Sequence, residues 1–541
     1  MDQRPASPPV FALLLLFVAI VAVFVIQVRW VVQDRDTLIS QFLYEDAFYY
    51  FQTARSIAEG HGSMSSGGIR HNGYHPLWLI VCSGFFRATP SDLAAIQSIM
   101  LVGALLTAVT SVLVFLILRE VGCRRRSAVF AAICFDANPW MMSLAVSGME
   151  APLNALLLAM MVLWTVRPEK RPSGRVYYAI LGILMALVYL VRTDNVFFIV
   201  ATWLYLALRG RSVGATSSRL FGAALLALVI VTPWISWNLL RFGGFMQTSA
   251  GALPVVRRAA FFASHPDAGS WDFFVFRLNI LGEYFPAALM YSGIGSVWYI
   301  LLVAVLFVLW TGRGRDENPR LAFALFDLAP LFVSALCLGV AHKFFRLATR
   351  EWYYVTTCLF LALVWGILIH YMMRVLATRF ARLSFLLVMI GLVIFIFCVK
   401  GIGFDWTIAG HRLKSSRAGL WTHNSNAYAL DIVHAIERLP DLAPDEKIGA
   451  TDSGIVGFLS RRPVVNLDGV VNPEAAKAIR RGELLKYADS LGIRYMVITP
   501  RMYIEPIWGK GFNDKLVPYP PLTAEGYRRV RTREETSTKN Q

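Results

Sequence analysis

The chain has 541 residues, 56% of them hydrophobic and only 16% charged, with 36 Phe and 15 Trp, a balance that excludes a soluble globular protein. Its formal net charge of +17 is carried largely by short Lys- and Arg-rich loops between apolar runs, so it reports membrane topology and calls for no nucleic acid as a partner. The six cysteines lie in or beside apolar runs and suggest neither a disulfide framework nor a paired-Cys metal site.

The first apolar run, 11–28, is long enough to cross a bilayer and is followed by charged sequence without a small-residue cleavage site, so it reads as a retained span. Further runs at 92–119, 127–146, 151–166, 177–192, 195–209, 220–240, 293–312, 321–341, 353–373 and 384–403 bring the expected count to about 11 transmembrane helices. The basic loops at 122–127, 166–175, 209–212, 311–315 and 373–382 all fall on one side, the cytoplasmic one if the N-terminus is inside. The loops 31–91 and 242–292, and everything after 404, then lie outside.

Residues 404–541 have an ordinary globular composition. ALDIVHAIERL (429–439) has the spacing of an amphipathic helix, KIGATD, IVGFLS, PVVNLDG and RYMVITP read as short strands, and AAKAIRRGELLKYADSLG reads as helical. The DSG and NLDG motifs read as turns, and the charged tail from about residue 528 is expected to be disordered. The predicted fold is a polytopic α-helical membrane protein, 1–403, carrying a small C-terminal α/β extracytoplasmic domain, 404–541.

Polar chemistry gathers on the outer side. In LYEDAFYYFQTARSIAEGHG (43–62) two adjacent carboxylates, Glu45 and Asp46, follow the first span; Asp46 is placed to cap a helix over about 47–58 that lies on the membrane and stops at Gly60 and Gly62. Catalysis is the other reading, favoured by GGIRHNGYHPLW (67–78), a patch that a mere connection does not need. Glu150 stands in SGME at the outer end of a hairpin, either paired with Arg192 of VRTDN or serving a substrate, while Asp194 reads as a turn residue or N-cap. Arg346 and Arg350, in HKFFRLATREWYY (342–354), suit either an interfacial aromatic belt or a phosphate. The aromatic segment 246–292 reads as a lid, a guide for a lipid chain or a cover over bundle surface, and His61, His71 and His75 match no standard metal spacing.

YEDAFYYFQTARSIAEGHG, GGIRHNGYHPLW, SGMEAPLNALL, VRTDN, PWISWNLLRFGGF, IGATDSGIVGFLS and PVVNLDGVVN together resemble the GT-C superfamily of integral-membrane glycosyltransferases. Within it they are similar to a bacterial branch that includes arabinofuranosyltransferase-like enzymes of actinobacterial cell walls. The resemblance implies a hexosyl- or pentosyltransferase of the bacterial plasma membrane, moving sugar from a polyprenyl-phosphate donor to a glycan, lipid or protein acceptor on the outer face. It places the base in the acidic motif, Asp46 first and Glu45 second or as a metal ligand, with a divalent cation as candidate cofactor. The motif reads ED where many relatives carry DD, which leaves the division of labour inside the pair open. Substrate binding is implied for Tyr74, His75, Glu150, Arg192, Arg241, Arg346 and Arg350. Such a transfer needs a base for the acceptor hydroxyl and positive charge for the departing phosphate. The competing classes are a transporter, which should show repeated halves absent from this sequence, and a non-enzymatic envelope-assembly protein, which has no use for the carboxylates and histidines of the first loop.

Overall fold

The computed structural model describes residues 9–166, 174–209, 213–282, 324–347, 350–379, 426–438, 442–460, 462–499, 502–510, 512, 516–518 and 529–533. Helix α1 (Pro9–Val31) is 23 residues of almost unbroken apolar sequence, about 35 Å at the usual rise, and matches the hydrocarbon thickness of a bilayer. The first outer loop then holds α2 (Ala47–Ala58) and α3 (Pro76–Ala88). Next come α4 (Asp92–Glu120), α5 (Arg125–Asp136), α6 (Pro139–Ala145), α7 (Ala151–Val166), α8 (Gly174–Val191), α9 (Val196–Arg209) and α10 (Val213–Phe242). An outer hairpin, α11 (Ser249–Ser264) and α12 (Ser270–Gly282), precedes α13 (Ala329–Gly339) and α14 (Val355–Arg379).

Among the described residues five helices are long and apolar enough to cross a membrane, in α1, α4, α8, α10 and α14, or six if α5 and α6, bent by 56° at Asn138–Pro139, form one broken span. Asn138 accepts the Trp140 N–H and Pro139 opens α6, so the break has a local cause. The expected spans at 151–166 and 195–209 are helices of 16 and 14 residues, and those at 293–312 and 384–403 lie outside the described residues. The segment 31–91, expected as a loop, contains an apolar helix: α3, started by Pro76, with Trp78, Leu79 and Cys82 buried.

The C-terminal segment expected to lie outside, and named the outer domain for that expectation, is a mixed five-stranded sheet with helices. Its elements are α15 (Ala427–Glu437), β1 (Ile448–Ala450), α16 (Gly454–Leu459), β2 (Val464–Asn466), α17 (Pro473–Arg481), α18 (Leu484–Ser490), β3 (Tyr495–Ile498), β4 (Leu516–Pro518) and β5 (Arg529–Arg533). The strand order is β2-β1-β3-β5-β4, with β1 parallel to β2 and β3, and β5 antiparallel to β3 and β4. Alternation divides the two faces: Ile448, Val464, Tyr495 and Val497 pack with Ile432 and Ile436 of α15, while Val465, Met496 and Ile498 pack with Ile479, Leu484 and Trp508.

Two expectations for this domain are corrected. IVGFLS is a helix, α16, because it is buried on two sides: Ile455 and Phe458, three residues apart, join the membrane-domain core while Val456 joins the sheet. The tail taken as disordered from about 528 contributes β5, whose residues 529–532 pair with β3 in the middle of the sheet.

Helix α2 spans the predicted residues but does not lie on the membrane surface. Its residues 47–54 are buried between α3 and α16, with Phe48 and Phe51 packed edge-on against Phe458. Five hydrogen bonds of this seam address main-chain carbonyls: Gln52 Nε2 donates to those of Ser453 (3.0 Å) and Gly454 (2.6 Å), Arg55 Nη2 to Phe458 (3.0 Å), and Asn426 Nδ2 to Ile39 (3.1 Å) and Leu43 (2.9 Å). A Cβ on Gly454 would stand 2.4 Å from the Glu45 carbonyl oxygen. Gly454→Ala is therefore expected to destabilise the protein by about 1–3 kcal/mol, read as a lower melting temperature in detergent. An unchanged melting temperature would show that the outer domain does not seat against Glu45.

Candidate active site

Where α2, the SGME turn, the RTD turn, the start of α11, residues 346 and 350–353 and two turns of the outer domain converge, they line a cavity partly open to solvent. Asp46, Tyr74, His75, Glu150, Arg192, Arg346 and Arg350 all line it. Two expected residues do not. Glu45 turns the other way, its Oε1 accepting the Ile455 N–H of α16 at 3.3 Å. Arg241 is exposed at the end of α10, and the motif's buried polar residue is Asn238, which accepts from Asn72 at 3.1 Å.

Asp46 occupies the N-cap position of α2 but in helical backbone geometry, and its side chain makes no capping hydrogen bond. Its carboxylate faces the cavity wall that carries Arg350. Burial disfavours the Arg350 charge, but Asp46, Glu351 and Asp452 outweigh burial and raise its pKa. Glu45 and Asp46 thus point to different neighbours and do not share one site.

Behind the cavity lies a buried charge network. Arg192 pairs with Glu150, which is 1% exposed, and forks onto Asp194 through Nη2 (2.6 Å) and Nε (3.0 Å). Asp194 accepts His342 Nε2 at 2.9 Å, and the His342 ring stacks on Tyr353 at 3.8 Å. Burial pushes the Asp194 carboxyl upward, but Arg192 and His342 hold it well below the usual carboxylate range. Asp194 is thus a counter-ion, a role that its reading as a turn residue missed. Tyr50 donates to Glu150 at 3.1 Å and accepts the His75 N–H at 3.3 Å, while His75 Nδ1 lies 3.2 Å from Gln247 Nε2.

With Arg192 balanced by two carboxylates, Arg346 is the better cation for an incoming anion. Its Nη2 donates to the Ser249 carbonyl at 3.3 Å, and its Nε is buried without a hydrogen-bond partner. An orphaned guanidinium donor on a cavity wall points to a ligand.

The histidines serve separately. His71 is buried against Thr53 (3.0 Å) and accepts the Gly73 N–H (3.2 Å), and His61 is exposed beside Glu59. Among the described residues no three His, Cys, Asp or Glu side chains gather as a metal site. Burial lowers the pKa of His71 to about 3 and of His75 to about 4, from the ordinary value near 6.5. The unfolded chain binds those protons first, so their contribution to stability is complete above about pH 6.5 and is lost as pH falls toward 4 and then 3. The melting temperature should drop across that range, less steeply in His71→Gln; parallel curves for the two proteins would contradict a buried neutral His71.

The described part of 246–292 contributes to the cavity wall through Met246, Gln247, Ser249, Ala250, Leu253 and Arg257, and Val256 of α11 packs into the outer-domain core. Trp271, Phe273, Phe274 and Phe276 lie on α12, while Tyr284 and Phe285 are outside the described residues. The outer domain adds Asp452 and Asp468, which had been read as structural turn residues.

Residues 92–237 match the family described as dolichyl-phosphate-mannose-protein mannosyltransferase, and 421–540 match a domain of unknown function. No curated protein matches the chain in sequence. The fold is similar to that of ArnT from Cupriavidus metallidurans bound to undecaprenyl phosphate, with TM-score 0.54 and 14% identity over 97% of this chain and 98% of that one. It is also similar to the archaeal oligosaccharyltransferase AglB from Archaeoglobus fulgidus, in complex with an inhibitory peptide and a dolichol-phosphate, with TM-score 0.55 and 12% identity over 92% of this chain and 71% of that one. The chain has the GT-C fold. Within it the cavity collects residues from both ends of the sequence, with Asp46 and Asp468 separated by more than 400 positions. The GT-C resemblance pointed to the first-loop side and to Arg346 and Arg350, and it reached the outer domain at IGATDSGIVGFLS and PVVNLDGVVN without giving Asp452 or Asp468 a role.

Proposed function

We propose that this GT-C chain is a membrane glycosyltransferase that takes a sugar from a polyprenyl-phosphate donor and transfers it to a hydroxyl of a cell-envelope acceptor. The observation that carries this reading is one cavity holding a carboxylate with no capping role, Asp46, together with Arg346, whose Nε is orphaned, and Arg350. Asp46 accepts the proton of the acceptor hydroxyl as its oxygen attacks the anomeric carbon. The bond from that carbon to the phosphate oxygen breaks, and the polyprenyl phosphate leaves with the electron pair, its charge met by Arg346 and Arg350. Glu150, Arg192, Asp194 and His342 fix the floor, and Tyr74 and His75 complete the wall on the first-loop side. Transfer of radiolabelled sugar from undecaprenyl-phosphate donors in proteoliposomes tests the reading; no transfer from any hexose or pentose donor by folded protein would overturn it.

The same reading places the cavity on the outer face of a bacterial plasma membrane, with the N-terminus inside, because the basic loops share the opposite side. In a protein freed of its native cysteines, single cysteines at His61 and Ser490, both exposed, should react with an impermeant maleimide in intact cells, and one at Ser212 should not. Labelling at Ser212 alone would invert the orientation.

A further inference from the structure

The outer domain forms part of the wall of the cavity that holds Asp46. Asp452 lines the cavity on a turn fixed from behind. Its N–H donates to Asp468 Oδ2 at 2.9 Å, and Asp468, 3% exposed, also accepts the Val470 N–H at 2.9 Å and stands 3.5 Å from the Tyr49 hydroxyl of α2. Tyr49 in turn accepts the Ser453 N–H at 3.2 Å, and Gln52 holds the two carbonyls that follow. Asp468 is thus saturated with local partners and acts on the cavity through Asp452.

The cavity is polarised. Asp46 and Asp452 stand on the side of α2 and the outer domain, with Arg350 under their influence, while Arg346 sits against Ser249 with its orphaned Nε. A phosphate is drawn to Arg346 and Arg350; what suits the carboxylates of Asp46 and Asp452 is a neutral group rich in hydroxyls, whose O–H groups donate charge-assisted hydrogen bonds to a carboxylate. We propose that Asp452, positioned by Asp468, binds the hydroxyls of a sugar ring in this cavity, so that the outer domain supplies a specificity-determining residue. This rests on the glycosyltransferase reading, and the sugar is either the donor's glycosyl group or a saccharide acceptor.

Binding to full-length protein in nanodiscs tests it, with undecaprenyl phosphate alone and undecaprenyl phosphate carrying glucose, mannose or arabinofuranose as probes. Asp452→Ala should weaken the preferred glycosylated lipid about tenfold and leave the bare lipid phosphate unchanged, with Asp452→Asn, which keeps one acceptor oxygen, in between. Unchanged lipid binding together with a tenfold higher KM for a saccharide acceptor, at constant kcat, also supports the proposal and assigns the sugar to the acceptor. Equal weakening of bare and glycosylated lipid would show that Asp452 only holds the turn, and no change in any of these measurements would show that it touches no sugar; either result overturns the inference. Wild-type protein that binds none of the lipids overturns the glycosyltransferase reading itself, and the inference with it.

Discussion

Asp46→Asn should fold, bind the lipid donor and lose about a hundredfold or more in turnover. Asparagine keeps the size of the side chain and is itself a good N-cap, so the start of α2 is preserved on either view of the residue. The capping role is already weak on geometric grounds, since the Asp46 side chain makes no cap hydrogen bond. What the substitution removes is the ability to take a proton. Glu45→Gln is the control: Gln retains an oxygen for the Ile455 N–H, so docking and turnover should both change little. A folded Asp46→Asn protein with near-normal turnover would remove Asp46 from the chemistry, and a larger loss at Glu45 would move the base there.

Arg192→Ala should cost about 3–5 kcal/mol and prevent the protein from accumulating, because it strands Glu150 and Asp194 in a buried site without their shared cation. Arg192→Lys keeps the charge but not the fork that reaches two carboxylates, and should recover only part of the loss. The sequence had left Glu150 between an ion pair and a substrate contact; the structure shows the ion pair. Neutralising both acids as well, in Arg192→Gln with Glu150→Gln and Asp194→Asn, should restore more stability than either acid change alone. Strict additivity across these variants, measured by thermal melting, would mean that the three groups do not form one network.

Local signals carried much of the fold. Helix α2 was legible from its apolar spacing and from Gly60 and Gly62, which take positive φ values of 85° and 82° just beyond its end. IVGFLS was not, because a short run buried on two faces shows neither the period of a strand nor that of a helix. The basic tail of β5 read as solvated chain because pairing with β3 depends on a partner some thirty residues earlier in the sequence. At the site, Asp46, Glu150, Arg346 and Arg350 stood out as charges beside apolar sequence, where charge is costly. Asp452 and Asp468 carried no such mark, since an acidic residue in a polar turn is ordinary until the turn is found against Tyr49 and Gln52.

The seam between the first loop and the outer domain joins hydrogen bonds to the main-chain carbonyls of Ser453, Gly454, Phe458, Ile39 and Leu43 to the packing of Phe48 and Phe51 on Phe458. Side chains matter to the joint where they pack, Ile455 and Phe458 in the membrane-domain core, and at Gly454 and Gly457, whose missing Cβ atoms let Glu45 and Gln52 approach. A graft that keeps Asn426, Gly454, Ile455, Gly457 and Phe458 should preserve this joint, and it would bring a new residue to position 452 without replacing Asp46. On the glycosyltransferase reading, substrate range can then change by exchanging one wall of the cavity while the Asp46 side stays fixed.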